Sequence, residues 1–321
     1  MHTRKLIGFG RNSFVISLPK EWVERNKLQK GQDVFLIEDT QGLRVVISPQ
    51  GKPEEKRITI NTEKKEYPFI RTEIITAYLN GNHVIEIRGA ALSEPALAQK
   101  IRELIKDLTG LEIVDETSSK IVVRDLIDLN QVSLQKMVQR IDLIIRSMIE
   151  DTIQCQEACY MDNIMHRDKD VNRLVFLVFR LIKSCFADPK IASIFDIPKQ
   201  KLITYWLVTM RLEKIGDQMK RVARSLCSIQ SDESLNKREK DRLIFIMKNL
   251  QQDYHEVMKA FASGNMVEAY KIELNFKCHI EALDSLLENT HHYELARTID
   301  QLKSTASSIK HIARNVGDNN G

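Results

Sequence analysis

The chain has 321 residues, 43% of them apolar and 29% charged, with a net charge of +4. That length allows two or three domains, and its longest apolar run, the six residues Leu174 to Phe179, excludes a membrane span, which needs roughly 18. No signal-peptide core follows Met1 and the five cysteines are scattered, so a reducing, cytoplasmic location is expected in place of a disulfide scaffold.

Eight of the 12 glycines and five of the seven prolines precede residue 131. A mixed first part and an all-α last part are therefore expected. In residues 1–50, Phe14 to Leu18 reads as a strand stopped by Pro19, and Lys20 to Arg25 as a short helix. Leu28 to Gly31 reads as a turn, and Val34 to Glu38 and Leu43 to Ser48 as two strands. Pro49 to Glu55 has linker composition.

Residues 56–129 alternate strand and helix and form a small α/β module. Arg57 to Asn61 and His83 to Arg88 read as strands, with Tyr67 to Leu79 a helix between them. Ser93 is the expected N-cap of a second helix running to about Leu108, with Pro95 in its first turn. Glu112 to Asp115 and Lys120 to Arg124 read as strands. Residues 131–316 carry helical periodicity over roughly 131–160, 168–187, 199–229, 236–262, 265–290 and 293–316. Six such helices pack economically as two three-helix units. The expected fold is thus multidomain: 1–50, 56–129 and 131–316.

Charge is concentrated at one end. Residues 1–30 carry seven bases and two acids, a local balance of +5. Such a patch suits an anionic partner better than the whole-chain sum suggests. In the long third helix, Leu212, Ile215, Met219, Val222 and Leu226 form an apolar stripe. Glu213 and Asp217 stand one turn apart on nearly the opposite face. A like-charge pair at that spacing is mildly unfavourable. Either a cation relieves it, or Lys214, Lys220 and Arg221 compensate it on a solvated face. Cys155 and Cys159, with His166 beyond them, read as half-buried helix cysteines. His291 and His292 read as an inter-helix cap or a surface pair, and Trp206, Phe176 and Phe179 as core. There is no nucleophile–base arrangement, phosphate loop or redox motif, so no enzyme is expected.

The run Gly10-Arg11-Asn12-Ser13-Phe14-Val15-Ile16-Ser17-Leu18-Pro19-Lys20, followed by Leu28-Gln29-Lys30-Gly31-Gln32-Asp33-Val34, resembles the AbrB/SpoVT/MazE-type swapped-hairpin DNA-binding domain over residues 1–48. One departure is Asp33, which lies two residues after Gly31 where the family usually has the acid directly after glycine. The resemblance implies a barrel shared by two chains, hence a homodimer, with Arg4, Lys5, Arg11 and Lys20 facing DNA.

Leu212-Glu213-Lys214-Ile215-Gly216-Asp217 and Asp168-Lys169-Asp170-Val171-Asn172-Arg173-Leu174 resemble the PhoU family of phosphate-uptake regulators over residues 131–316. The resemblance implies two three-helix repeats and a metal ion (iron, zinc or magnesium) in the first, held by Glu213 and Asp217 with Asp168, Asp170 or Asn172. In the second repeat Lys303 and Ser307 replace the final-helix acids, and Lys277 precedes Glu281, so no metal cluster is expected there. The implied function is a phosphate-responsive transcription regulator. The alternatives are a signalling adaptor docking on a phosphate-transporter ATPase or a sensor kinase, and a metal-storing or purely structural helical protein.

Overall fold

Pro19 sets the entry of the first helix, because its fixed φ of −60° presents a carbonyl that accepts the amides of Trp22 and Val23 at 3.0 and 3.1 Å. The computed structural model describes residues 3–10, 13–39, 42–47, 55–155, 158–229, 237–288 and 290–317. They divide into two compact units, Met1–Glu55 and Lys56–Gly321.

In the first unit β1 (Ile7–Phe9) pairs antiparallel with β2 (Ser13–Val15), Ile7 opposite Val15. Helix α1 (Lys20–Arg25) follows and is closed by Asn26, whose Nδ2 donates to the Trp22 carbonyl at 2.7 Å. Gly31, at φ +87°, makes the expected turn. β3 (Phe35–Asp39) and β4 (Gly42–Val46) form a second hairpin, Phe35 opposite Val46. The strand expected over Phe14 to Leu18 keeps only its first residues in a ladder, because Ile16 to Leu18 meet no strand within this chain among the described residues. None of the described side chains of this unit is fully buried.

The second unit begins with β5 (Arg57–Asn61), α2 (Tyr67–Leu79) and β6 (Val84–Arg88). Ile70, Ile74, Ala77 and Tyr78 line one face of α2 and are buried. α3 (Pro95–Asp107), β7 (Leu111–Thr117) and β8 (Lys120–Asp125) complete a sheet of order β5-β6-β8-β7. β5 and β6 run parallel; the other pairs are antiparallel. Ser93 is not the cap of α3. Its hydroxyl donates to the Ala90 carbonyl at 2.7 Å in a short 3₁₀ turn, so Glu94 takes the cap position.

The helical part comprises α4 (Leu134–Gln154), α5 (Met161–Ala187), α6 (Pro189–Phe195), α7 (Lys199–Ile229), α8 (Lys237–Ser263), α9 (Met266–Leu287) and α10 (Tyr293–Arg314). Side-chain caps start α4 (Ser133), α9 (Asn265) and α10 (His292). α4, α5 and α7 pack together, as do α8, α9 and α10, and α7 against α10 joins the two sets. Phe179 and Trp206 stack at 4.4 Å between α5 and α7. No helix among the described residues is long and apolar enough to cross a membrane.

Three helical expectations are corrected. The first helix stops at Gln154, short of 160, and α5 begins at Met161. The break between Asp188 and Pro198 holds the extra short helix α6. The cysteines are not all free thiols, since Cys159 lies outside any helix and forms a disulfide with Cys227 near the end of α7, Cα atoms 5.4 Å apart. Cys155 is free and buried.

Candidate functional site

Leu212, Ile215, Met219, Val222 and Leu226 of α7 are buried, as their spacing requires. Gly216, between the two motif acids, permits a close helix approach: a Cβ there would stand 2.9 Å from Ile145 Cδ1 of α4. Glu213, Asp217 and Lys220 follow one another at i, i+4 and i+7 and so share a face. Lys220 Nζ donates to Asp168 Oδ2 of α5 at 2.7 Å and to Asp217 Oδ1 at 2.9 Å. Partial burial opposes the Lys220 charge, but the hydrogen bonds and charges of Asp168 and Asp217 outweigh it and raise its pKa. Burial raises the pKa of Glu213, and the nearby charges of Asp217 and Asp168 add to the effect.

The structure thus brings Asp168, Glu213 and Asp217 together around one ammonium group. Asn172, one turn beyond Asp168, lines a cleft with Glu213 and Asp217. Asp170 does not join them; it lies about 200° round the helix from Asp168 and is exposed. Among the described residues no group of three or more His, Cys, Asp or Glu side chains is arranged to hold a metal ion. The position between Asp168 and Asp217 that suits a cation is filled by Lys220, so the donor set as folded does not fit a metal cluster.

The cleft beside these residues has a volume of about 390 Å³ and lies between the α/β module and helices α5 and α7. α2 and α3 supply Tyr67, Arg71, Lys100, Glu103 and Asp107 to its walls. α5 and α7 supply Lys169, Asn172, Arg173, Glu213 and Asp217. A buried latch fixes the two walls. Arg180 of α5 is only 4% exposed; it pairs with Asp125 at the end of β8 and lies over the Tyr78 ring at 4.6 Å. Burial pushes the Tyr78 phenol up to about 12 against the lowering influence of Arg180, and its hydroxyl donates to the Thr109 carbonyl at 2.9 Å. Phe176 of α5 packs onto the core of the module.

In the second repeat, Lys303 pairs with Asp284 at 2.5 Å and Lys277 with Glu281 at 3.6 Å. At the other end of the chain Arg4, Lys5 and Lys20 are exposed. Among the described residues Lys20 makes only a solvent-exposed contact to Glu24 at 3.7 Å. Arg11 lies outside the described residues. Beside these bases stand exposed apolar side chains: Phe9 and Phe14 are each 70% exposed, and Leu6, Leu36 and Leu43 are at least 60% exposed. Sequence reasoning missed Arg180 and the cleft residues of α2 and α3. The only sequence signal for Arg180 was a charge inside an apolar helix face.

The molecule is therefore a hairpin-and-helix unit joined to an α/β module and a helical bundle. Residues 9–55 match the family model described as "Antidote-toxin recognition MazE, bacterial antitoxin". Over 58% of this chain and 91% of the other, the fold is similar to the crystal structure of PhoU from Pseudomonas aeruginosa, with a TM-score of 0.47 and 14% identity. No curated protein matches the sequence.

Proposed function

We propose that the protein is a homodimeric transcription regulator that binds DNA through residues 1–50 and responds to phosphate status through its helical part. The observation that carries this reading is the first unit itself. It has no fully buried side chain among its described residues, yet it exposes Leu6, Phe9, Phe14, Leu36 and Leu43. Two-stranded hairpins are marginal on their own. A second copy would bury these residues and complete the core, as in the swapped-hairpin domains that the sequence resembles. Dimerisation would also double the exposed bases Arg4, Lys5 and Lys20 about a two-fold axis, which suits a roughly palindromic duplex. The MazE match over residues 9–55 supports the same reading. The response to phosphate rests on the resemblance of the helical motifs to the PhoU family. Metal ligation by Asp168, Glu213 and Asp217 would require Lys220 to withdraw, and this reading uses no metal.

The test is selection of genomic fragments by the full-length dimer, with and without inorganic phosphate. Enrichment of a two-fold symmetric site, shifted by phosphate, is the expected result. Absence of any sequence-selective binding, together with phosphate-dependent capture of transporter ATPase or sensor kinase, would replace this reading with the adaptor.

A further inference from the structure

The cleft between the α/β module and helices α5 and α7 has uncommitted charges of both signs. Among the described residues, no ion pair or hydrogen bond engages the side chains of Arg71, Lys169 or Arg173, and Lys100 Nζ lies over the Tyr67 ring at 5.5 Å. Arg71 of α2 faces Lys169 and Arg173 of α5 across the cavity, and unpartnered cations lining one cavity suit an oxyanion, guanidinium groups phosphate in particular. The opposite need is set by Glu213 of α7 and Asp107 of α3, carboxylates that line the cavity from its two walls and whose oxygens accept from no neighbour among the described residues. Carboxylates accept hydrogen bonds from hydroxyl or amino groups.

The whole lining pairs four bases with four acids, so it does not favour a polyanion such as a nucleic-acid strand. Its volume of about 390 Å³ falls in the range of small-molecule sites, and inorganic phosphate alone would leave most of it to water. The Arg180–Asp125 latch holds the two walls in register, so the site is formed before any ligand arrives.

We propose that this cleft binds a small phosphorylated metabolite: a phosphomonoester held by Arg71, Lys169 and Arg173, with hydroxyl or amino donors on its body facing Glu213 and Asp107. The inference gives the α/β module a role, as one wall of an effector site. It goes beyond the DNA-binding reading and shares no residue with it, so either can fail alone.

The experiment is calorimetric titration of the full-length protein at constant ionic strength with AMP, ribose phosphate and glycerol phosphate. Ribose and inorganic phosphate serve as the arms that lack one half of the ligand. At least one phosphomonoester should bind saturably, once per chain, and at least about tenfold more tightly than inorganic phosphate. The double substitution Arg71→Gln with Arg173→Gln should weaken it by about tenfold or more while leaving the thermal melt cooperative. Lys169→Gln, at an exposed position, is the second probe and should weaken it several-fold. Three results would overturn the proposal: no saturable binding by any of the three phosphomonoesters, equal binding of inorganic phosphate, or unchanged affinity in both folded variants.

Discussion

Lys220 Nζ on α7 lies 2.7 Å from Asp168 Oδ2 on α5, across a helix interface and 52 residues apart in the chain. The same ammonium reaches Asp217, so one internal cation serves two carboxylates on neighbouring helices. Replacing Lys220 by Ala leaves Asp168, Asp217 and Glu213 facing each other in a half-buried setting. A loss of about 1–3 kcal/mol in unfolding free energy is expected from two charge-assisted hydrogen bonds. It is checked by denaturant titration. The same variant should take up more divalent metal than the wild type when both are dialysed against zinc or manganese and analysed for bound metal. Equal metal content would show that the lysine does not compete with a cation there.

The Arg180–Asp125 pair is more deeply buried, with side chains 4% and 9% exposed. Arg180→Met strands Asp125 and should cost about 3–5 kcal/mol. Adding Asp125→Leu removes the stranded charge and should restore part of the loss. The measurement is a double-mutant cycle from denaturant midpoints, and an additive result would contradict the coupling.

Phe14 and Leu43 project from the hairpins with 70% and 60% exposure. Replacing both by Glu should convert a dimer to monomers. Each lost apolar burial is worth about 1.5–3 kcal/mol and is counted twice by symmetry. Sedimentation at graded protein concentration reads this out, and a wild-type monomer at micromolar concentration would remove the dimer.

If the dimer meets about six phosphates, log K for DNA should fall with log salt at a slope of roughly −5. Lys20→Ala removes up to two contacts and should make the slope shallower by up to about 2 on every sequence. A slope unchanged in this variant takes Lys20 out of the interface. Arg4, Lys5 and Arg11 are tested in the same titration.

Burial lowers the pKa of His255, and Arg146 lowers it further; Asp142, Glu256 and Glu150 pull the other way without prevailing. Its Nε2 is buried without a hydrogen-bond partner among the described residues. A histidine whose folded pKa is depressed contributes stability above its unfolded pKa, near 6.5. That contribution fades as pH falls towards the folded value. His255→Gln should therefore flatten the acid side of the stability curve below neutrality and leave the alkaline side alone. Thermal melts across that window check it, and parallel curves for both proteins would show that His255 does not titrate on unfolding.

Where local chemistry decides, the sequence was readable to the residue. Pro19 before Lys20 and Asn80-Gly81 after Leu79 mark the ends of α1 and α2 because proline and glycine act on their own neighbours. The apolar stripe of α7 was legible for the same reason, as was Lys220 as a compensating charge near Asp217. Its contact with Asp168 was not, because it depends on how α5 and α7 pack. Arg71, Lys169 and Glu213 come from three helices, and no spacing along one of them announces a shared cavity. Cys159 and Cys227 are 68 residues apart, and their pairing depends on where the start of α5 meets the end of α7. Short strands were hardest to bound: Phe14 to Leu18 has the composition of a longer strand than the one paired among the described residues.

The Cys159–Cys227 bond turns α5, α6 and α7 into a closed loop of covalent bonds. Asp168, Asn172, Glu213, Asp217 and Lys220 all lie inside it. A single protease cut in the Asp188–Pro198 connection would open that loop without releasing a fragment. The helices carrying the carboxylates and their lysine would remain one molecule, migrating as a full-length chain until a thiol reductant separated the pieces.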